Sequence, residues 1–207
     1  MLRDARSLFA FAACLVRILE ENNNLEVMTT GKDRGIYVRE RATAGSPGGG
    51  DREQGVYRPH TLNVLARDAL HPGRMPGWMV AEPLCVVRPE HTAEVAAVVR
   101  LASTHGIPVI PIGGGSGLMG GAASLVPGLV LDLRGLQEIH IRPADRMADV
   151  GAGVTIQALN QAAAPHGLMC GHDPWTVAVA TVGGTIGTNS LGYLGGNMAQ
   201  WGTRCWE

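Results

Sequence analysis

Cysteine is scarce: the chain has only Cys14, Cys85, Cys170 and Cys205, and no two form a CxxC pair. Such spacing offers neither a zinc site nor a disulfide framework, and it points to reduced thiols in a cytoplasmic compartment. Aromatic residues make up 4%, too few for the stacked platforms that grip single-stranded nucleic acid. Neither sign of charge dominates, with 17 Lys and Arg against 18 Asp and Glu. That balance leaves no electrostatic footprint for nucleic acid or for an anionic membrane. No apolar run reaches the roughly 20 residues that span a bilayer. The stretch Leu8 to Val16, behind Arg3 and Arg6, has the look of a signal-peptide core. It lacks a small-x-small cleavage site and runs into Arg17, Glu20 and Glu21, so a helix from Ser7 to Glu21 is expected, with a signal peptide as the alternative.

Glycine, in contrast, is abundant, with 29 residues gathered in three places. The densest stretch, Gly113–Gly121, holds six glycines and no charge, and follows the apolar run Ile107–Ile112. Without Cβ atoms the backbone can turn at positive φ and bring its N–H groups close to a ligand. Successive N–H groups in such a turn form a concave anion site, suited to phosphate or pyrophosphate. The same composition fits a flexible surface loop between strands.

The surrounding pattern argues for a structured loop. Residues 1–28 are expected as an N-terminal helix and 29–55, polar and centred on Ser46–Gly50, as a disordered linker. The main domain is expected over 56–207, starting near Val56 or Thr61. Glu82–Pro89 reads as a strand. Thr92 is the expected cap of a helix with Glu94 in its first turn and Val95, Val98, Val99 and Ala102 on its buried face. Gly106 would end it, and Ile107–Ile112 would deliver the chain into the glycine loop. Leu129–Leu133 reads as a strand, and Glu138–Arg142 with Arg146–Val150 as a hairpin about Pro143–Asp145. Thr155 would cap a second helix bearing Ile156, Leu159, Ala162 and Ala163. Leu168 onward is expected to be irregular and carries the third glycine cluster, Val182–Asn189.

Two nucleotide-binding templates can be tested on the loop. Gly115-x-Gly117-x-x-Gly120 matches GxGxxG and Asp132 ends the next strand, but a Rossmann turn must open a helix. Only Ala122–Gly128 separate loop from strand, and Pro127 lies among them. A Walker A loop fails because no Lys-Ser/Thr follows the glycines. The loop is therefore expected to hold a diphosphate with no helix behind it.

Several segments, in order, carry a resemblance to a known family. They are Arg88-Pro89, Thr92, Glu94-Val95; then Gly106-Ile107-Pro108-Val109, Pro111 and Gly113-Gly114-Gly115 with Gly117. Gly128, Val130 and Asp132-Leu133 follow, and then Gly151 with Gly153-Val154. Gly167, Gly171-His172-Asp173-Pro174, Thr181-Val182-Gly183-Gly184 and Thr188-Asn189 complete the set. From about Pro83 to Thr203 the chain resembles the PCMH-type FAD-binding domain of the vanillyl-alcohol oxidase / p-cresol methylhydroxylase flavoproteins. Within that class it is most similar to glycolate oxidase flavin subunits and FAD-linked D-lactate dehydrogenases, and to alkyldihydroxyacetonephosphate synthase.

The resemblance implies an α+β fold of two α/β subdomains with FAD between them. It implies an FAD-dependent oxidoreductase acting on a 2-hydroxy acid such as glycolate or D-lactate. The alternatives are a synthase-like flavoenzyme or a non-catalytic FAD-binding module. Pro111, Ile112, Gly113, Gly114, Gly115, Ser116 and Gly117, with Gly120 and Gly121, would wrap the diphosphate. Trp175–Thr181 would lie along the cofactor after Pro174, and Gly183, Gly184, Thr188 and Asn189 would line it. Some members attach flavin to a His in the first loop; residues 113–121 contain none, so dissociable FAD is expected. A general base for the substrate hydroxyl is implied, and no residue here is assigned to it. The family's FAD domain continues beyond the equivalent of Thr203 and is followed by a substrate-binding cap. With the sequence ending at Glu207, the expectation is an incomplete FAD site, missing its C-terminal part and cap, with little turnover alone. Among single residues, His172 and Asp132 are expected as turn formers and Cys170 as an inert core thiol. Trp175, Trp201 and Trp206 are expected to pack, with flanking a ring system as the alternative.

Overall fold

Short apolar runs bounded by proline and glycine make the central sheet. The computed structural model describes residues 69–70, 81, 83–123 and 125–193, with the backbone of two earlier strands. These are β1 (Leu25–Thr29) and β2 (Ile36–Glu40), followed by β3 (Cys85–Val87), α1 (Thr92–Thr104), β4 (Val109–Ile112) and β5 (Leu129–Asp132). The hairpin β6 (Ile139–Arg142) and β7 (Met147–Val150) comes next, then α2 (Ile156–Ala163) and α3 (Val182–Gly187). The sheet order is β1-β2-β3-β5-β4; β1 runs antiparallel to β2 and the remaining neighbours are parallel.

Alternation along the strands divides the side chains between two layers. Cys85, Val87, Leu129 and Leu131 face α1, where they pack with Val98, Leu101, Ala102 and Ile107. Val86, Val130, Ile110 and Ile112 face the other way and are covered by Ala122 from the long loop. Strand β5 is buried at every position because both its faces are covered.

Glycines end the helices where the sequence implies they should. Gly106 has φ +62°. Its N–H bonds Ser103 O at 3.2 Å and Ile107 N–H bonds Ala102 O at 2.8 Å, the paired closure that satisfies the last carbonyls. The start of α1 differs from expectation. Its cap is His91, with Thr92 already helical, because the buried Glu94 carboxylate reaches back to the N–H groups of Glu90 (2.8 Å) and His91 (3.3 Å). The buried face is Glu94, Val98, Leu101 and Ala102, and Val99 is exposed one step off that stripe.

The second layer is the β6–β7 hairpin with α2, sharing a core of Val154, Ile156, Leu159, Ala180 and Val182. Thr155 caps α2 as expected, its hydroxyl accepting from Ala158 N–H at 3.1 Å. The glycine cluster 182–189, expected to be irregular, instead forms α3 behind the Thr181 cap. The segment 29–55, expected as linker, contains β2, where Ile36, Tyr37 and Val38 favour a strand, and β2 joins the sheet beside β3. Leu25–Thr29 is likewise a strand where residues 1–28 were expected as helix. The helix expected at Ser7–Glu21, the domain start near Val56 or Thr61, and Trp201 and Trp206 lie outside the described residues. The α+β architecture of two α/β layers agrees with the expected class.

Candidate functional site

Because β3, β5 and β4 are parallel, their carboxyl ends share one edge, where open α/β sheets bind ligands. Ile112 pairs with Asp132 there, and the next residue opens the glycine turn. Gly115 (φ +67°) and Gly120 (φ +76°) hold left-handed conformations that other residues resist. The described residues between Ile112 and Leu129 contain no helix, which removes the Rossmann alternative. Gly113–Ser116 are half-buried and Gly117 is exposed. Among the described residues, the N–H groups of Gly114, Gly115, Ser116 and Gly117 make no hydrogen bond. Amides on such an accessible turn are open to an anionic acceptor.

The segment Pro174–Gly184 forms the facing wall. A Cβ on Gly113 would overlap the Thr181 hydroxyl, and one on Gly114 would overlap the Val179 carbonyl. These two glycines are thus required by protein packing, in addition to any ligand. Thr176 Oγ1 lies 3.4 Å from Ser116 Oγ, joining the two walls. Thr176 was not singled out from the sequence; only its place between Pro174 and Thr181 hinted at it. Pro174 is buried and its carbonyl receives Val177 N–H at 3.0 Å.

The other expected contacts vary. Pro111 is exposed on the edge strand β4, where its missing N–H does no harm. Ile112 is committed to the core, so only its main chain reaches the edge. Gly120 is buried and accepts from Ala123 N–H, whereas Gly121 is exposed with open space around it. Gly183 already donates its N–H to Ala152 O at 2.9 Å, and Gly184 donates to Thr181 Oγ1 at 3.4 Å. The Thr188 hydroxyl donates to Gly184 O at 2.8 Å; Asn189, at φ +47°, is exposed at the end of α3. Gly113, Gly114 and Ser116 are therefore brought onto Thr176, Val179 and Thr181. No hydrogen bond among the described residues joins Gly121 or Thr188 to the turn.

Asp132 is a turn former as expected, but its environment is richer than a cap requires. It is buried and receives Arg88 Nε (2.9 Å) and Nη2 (2.7 Å), together with Arg134 N (3.1 Å), Nε (2.8 Å) and Nη2 (2.8 Å). Burial pushes its carboxyl up, but the hydrogen bonds and charges of Arg134 and Arg88 outweigh that and hold it below the usual carboxylate value. His172 is buried beside Asp173-Pro174, and Cys170 is half-buried against the second core. Trp175 departs from the packing expectation: it is 78% exposed, on the segment facing the glycine turn.

A family model described as "FAD binding domain" matches residues 83–200. The chain belongs to that family. As an FAD-binding domain it is similar to the D-lactate dehydrogenase of Archaeoglobus fulgidus, at 42% identity over 54% of this chain and 25% of the relative. It is also similar to the glycolate oxidase subunit GlcD of Escherichia coli K12, at 37% identity over 53% of this chain and 22% of that protein. The solved structure of an alkyldihydroxyacetonephosphate synthase superimposes with a TM-score of 0.54 at 25% identity, covering 57% of this chain and 24% of that one. The chain thus spans about a quarter of the length of the relatives it matches. The residues present fit FAD. Four free amides suit its diphosphate, and the Ser116 and Thr176 hydroxyls beside them suit its polar edges. Among the described residues, no helix is long and apolar enough to cross a membrane.

Proposed function

We propose that this chain supplies the FAD site of an oxidoreductase acting on a 2-hydroxy acid of the glycolate or D-lactate type. The observation that carries the reading is the run of unbonded amides from Gly114 to Gly117, facing Thr176–Thr181. These amides hold the diphosphate by main-chain dipoles, with no lysine or helix N-terminus at the turn. Pro111, Ile112, Gly120 and Gly121 shape the turn around it. Pro174 and Thr181 fix the facing wall, and Gly183, Gly184, Thr188 and Asn189 continue that wall along the cofactor. When bound, FAD supplies the hydride-accepting chemistry, while the protein positions it and excludes water. Dissociable FAD and a cytoplasmic setting with reduced thiols complete the reading; among the described residues, Cys85 and Cys170 form no disulfide.

Reconstitution tests it. The 207-residue chain is mixed with FAD, gel-filtered, and titrated anaerobically with D-lactate and glycolate. Retained flavin whose visible absorbance bleaches with either acid supports the whole reading. Retained flavin with no bleaching reduces it to a binding module, and protein that neither retains flavin nor quenches its fluorescence even at high FAD concentration rejects it. The structural likeness to alkyldihydroxyacetonephosphate synthase favours a second reading, tested by offering an acyl-dihydroxyacetone phosphate in place of the hydroxy acid.

A further inference from the structure

We propose that Asp132, acting through Arg88 and Arg134, is a positioning residue that sets the glycine turn against its facing wall and thereby sets FAD affinity. The proposal rests on the cofactor reading above.

A cap needs one acceptor for one backbone N–H, yet the Asp132 carboxylate takes five donors while only 1% exposed. Its place explains the surplus. Val87 pairs with Leu131 and Asp132 pairs with Ile112, so Arg88, Asp132 and Ile112 follow one another across the carboxyl edge of three strands, and Gly113 comes directly after Ile112. The carboxylate ties the end of β3 to the end of β5 beside the point where the chain enters the turn.

Its other partner leads to the facing wall. Arg134 O accepts Gln137 Nε2 at 2.6 Å, and the same amide donates to Gly153 O at 2.8 Å. Gly153 N–H bonds Leu136 O at 3.0 Å, and a Cβ on Gly153 would overlap Leu133 O. From there Ala152 O receives Gly183 N–H (2.9 Å), Val154 O receives Val182 N–H (2.8 Å), and Ala180 O receives Ile156 N–H (3.0 Å). Thr181 and Val179, in the same stretch, press on Gly113 and Gly114. The contacts close a ring, from Asp132 through 134–137, 151–154 and 179–183 to Gly113 and back to Ile112. Close-packed contacts have little slack, so releasing Arg134 shifts the wall against the turn.

The test compares the 207-residue chain with Asp132→Asn, Arg134→Lys and Asp149→Asn. The first removes the charge at constant shape. The second keeps the charge but loses the planar fork. The third breaks an exposed pair with Arg142, 3.1 Å long, on the hairpin. FAD is titrated by flavin fluorescence well below each variant's unfolding temperature, and the visible circular dichroism of bound flavin is recorded at saturation. Expected are wild-type affinity for D149N, a loss of about tenfold or more for D132N with an altered flavin band, and a smaller loss for R134K. If D132N does not fold, R134K alone must show the weaker binding and altered band. A folded variant with a lower melting temperature but unchanged affinity and band overturns the proposal. A wild-type chain that binds no FAD overturns the cofactor reading and this proposal with it; unchanged variants beside a binding wild type overturn only the latter.

Discussion

Gly113 lies so close to Thr181 that a Cβ on the glycine would clash with the Thr181 hydroxyl, which also caps α3. The glycine turn and the facing wall are therefore in direct contact. Gly114 meets the Val179 carbonyl in the same way, and backbone cannot swing aside as a flexible side chain can. Gly114→Ala should lower stability by about 1–3 kcal/mol, the usual penalty for overpacking, and weaken FAD retention. Gly121→Ala, with nothing near its Cβ position, should stay within about 0.5 kcal/mol of wild type. Thermal unfolding of the two variants side by side checks this; equal losses would show that the turn is not seated on Val179.

The Arg88–Asp132–Arg134 cluster makes stability depend on acid. Its arginine side chains are 44% and 36% exposed, so solvent weakens the pairing below that of a fully buried ion pair. Asp132→Asn should cost about 2 kcal/mol at neutral pH. The folded carboxyl is held below its ordinary value, so its contribution is complete above that value and is lost as pH falls through the folded one. The gap in denaturant midpoint between wild type and D132N should therefore begin to narrow below about pH 4 and keep closing as the pH falls further. A gap that stays constant into acid would rule out this linkage.

Much of this arrangement was legible in the sequence. Strand β5 announced itself through three successive apolar residues, and Gly106 marked its helix end because only a positive φ closes that turn cheaply. The absence of a helix after Gly117 followed from the seven residues available and Pro127. Long-range contacts were less readable. Nothing local to Arg88 signals that it meets a carboxylate 44 residues on. The glycines of the turn implied a close approach without saying that Thr181 and Val179 would make it. Glu94 displaced Thr92 from the capping role because a carboxylate three residues past His91 can satisfy two N–H groups at once. That acid was visible, and the capping-box spacing was the signal for it.

Cys85 should be chemically silent in the folded protein. Burial pushes its thiol up to about 12, so almost no thiolate exists at pH 8 and no reagent has access. Half-buried Cys170 should alkylate with iodoacetamide well before Cys85 in the native state, and the two should react alike in denaturant. Peptide mapping at timed quenches reads this directly. Early native labelling of Cys85 would mean that the β3 layer opens far more readily than its packing implies.

Glu94 tests how much of α1 depends on its own start. Its carboxylate is buried and accepts two backbone N–H groups. Glu94→Ala strands both, and should destabilise the chain by about 1–2 kcal/mol. Glu94→Gln retains one amide oxygen and should recover part of the loss. Because α1 packs on the face of the sheet formed by Cys85, Val87, Leu129 and Leu131, the loss belongs to that layer. FAD affinity, governed by the opposite walls at the strand ends, should change little once unfolding is allowed for. A glutamate variant that folds normally yet releases FAD would show that α1, and not only the carboxyl edge, holds the turn in place.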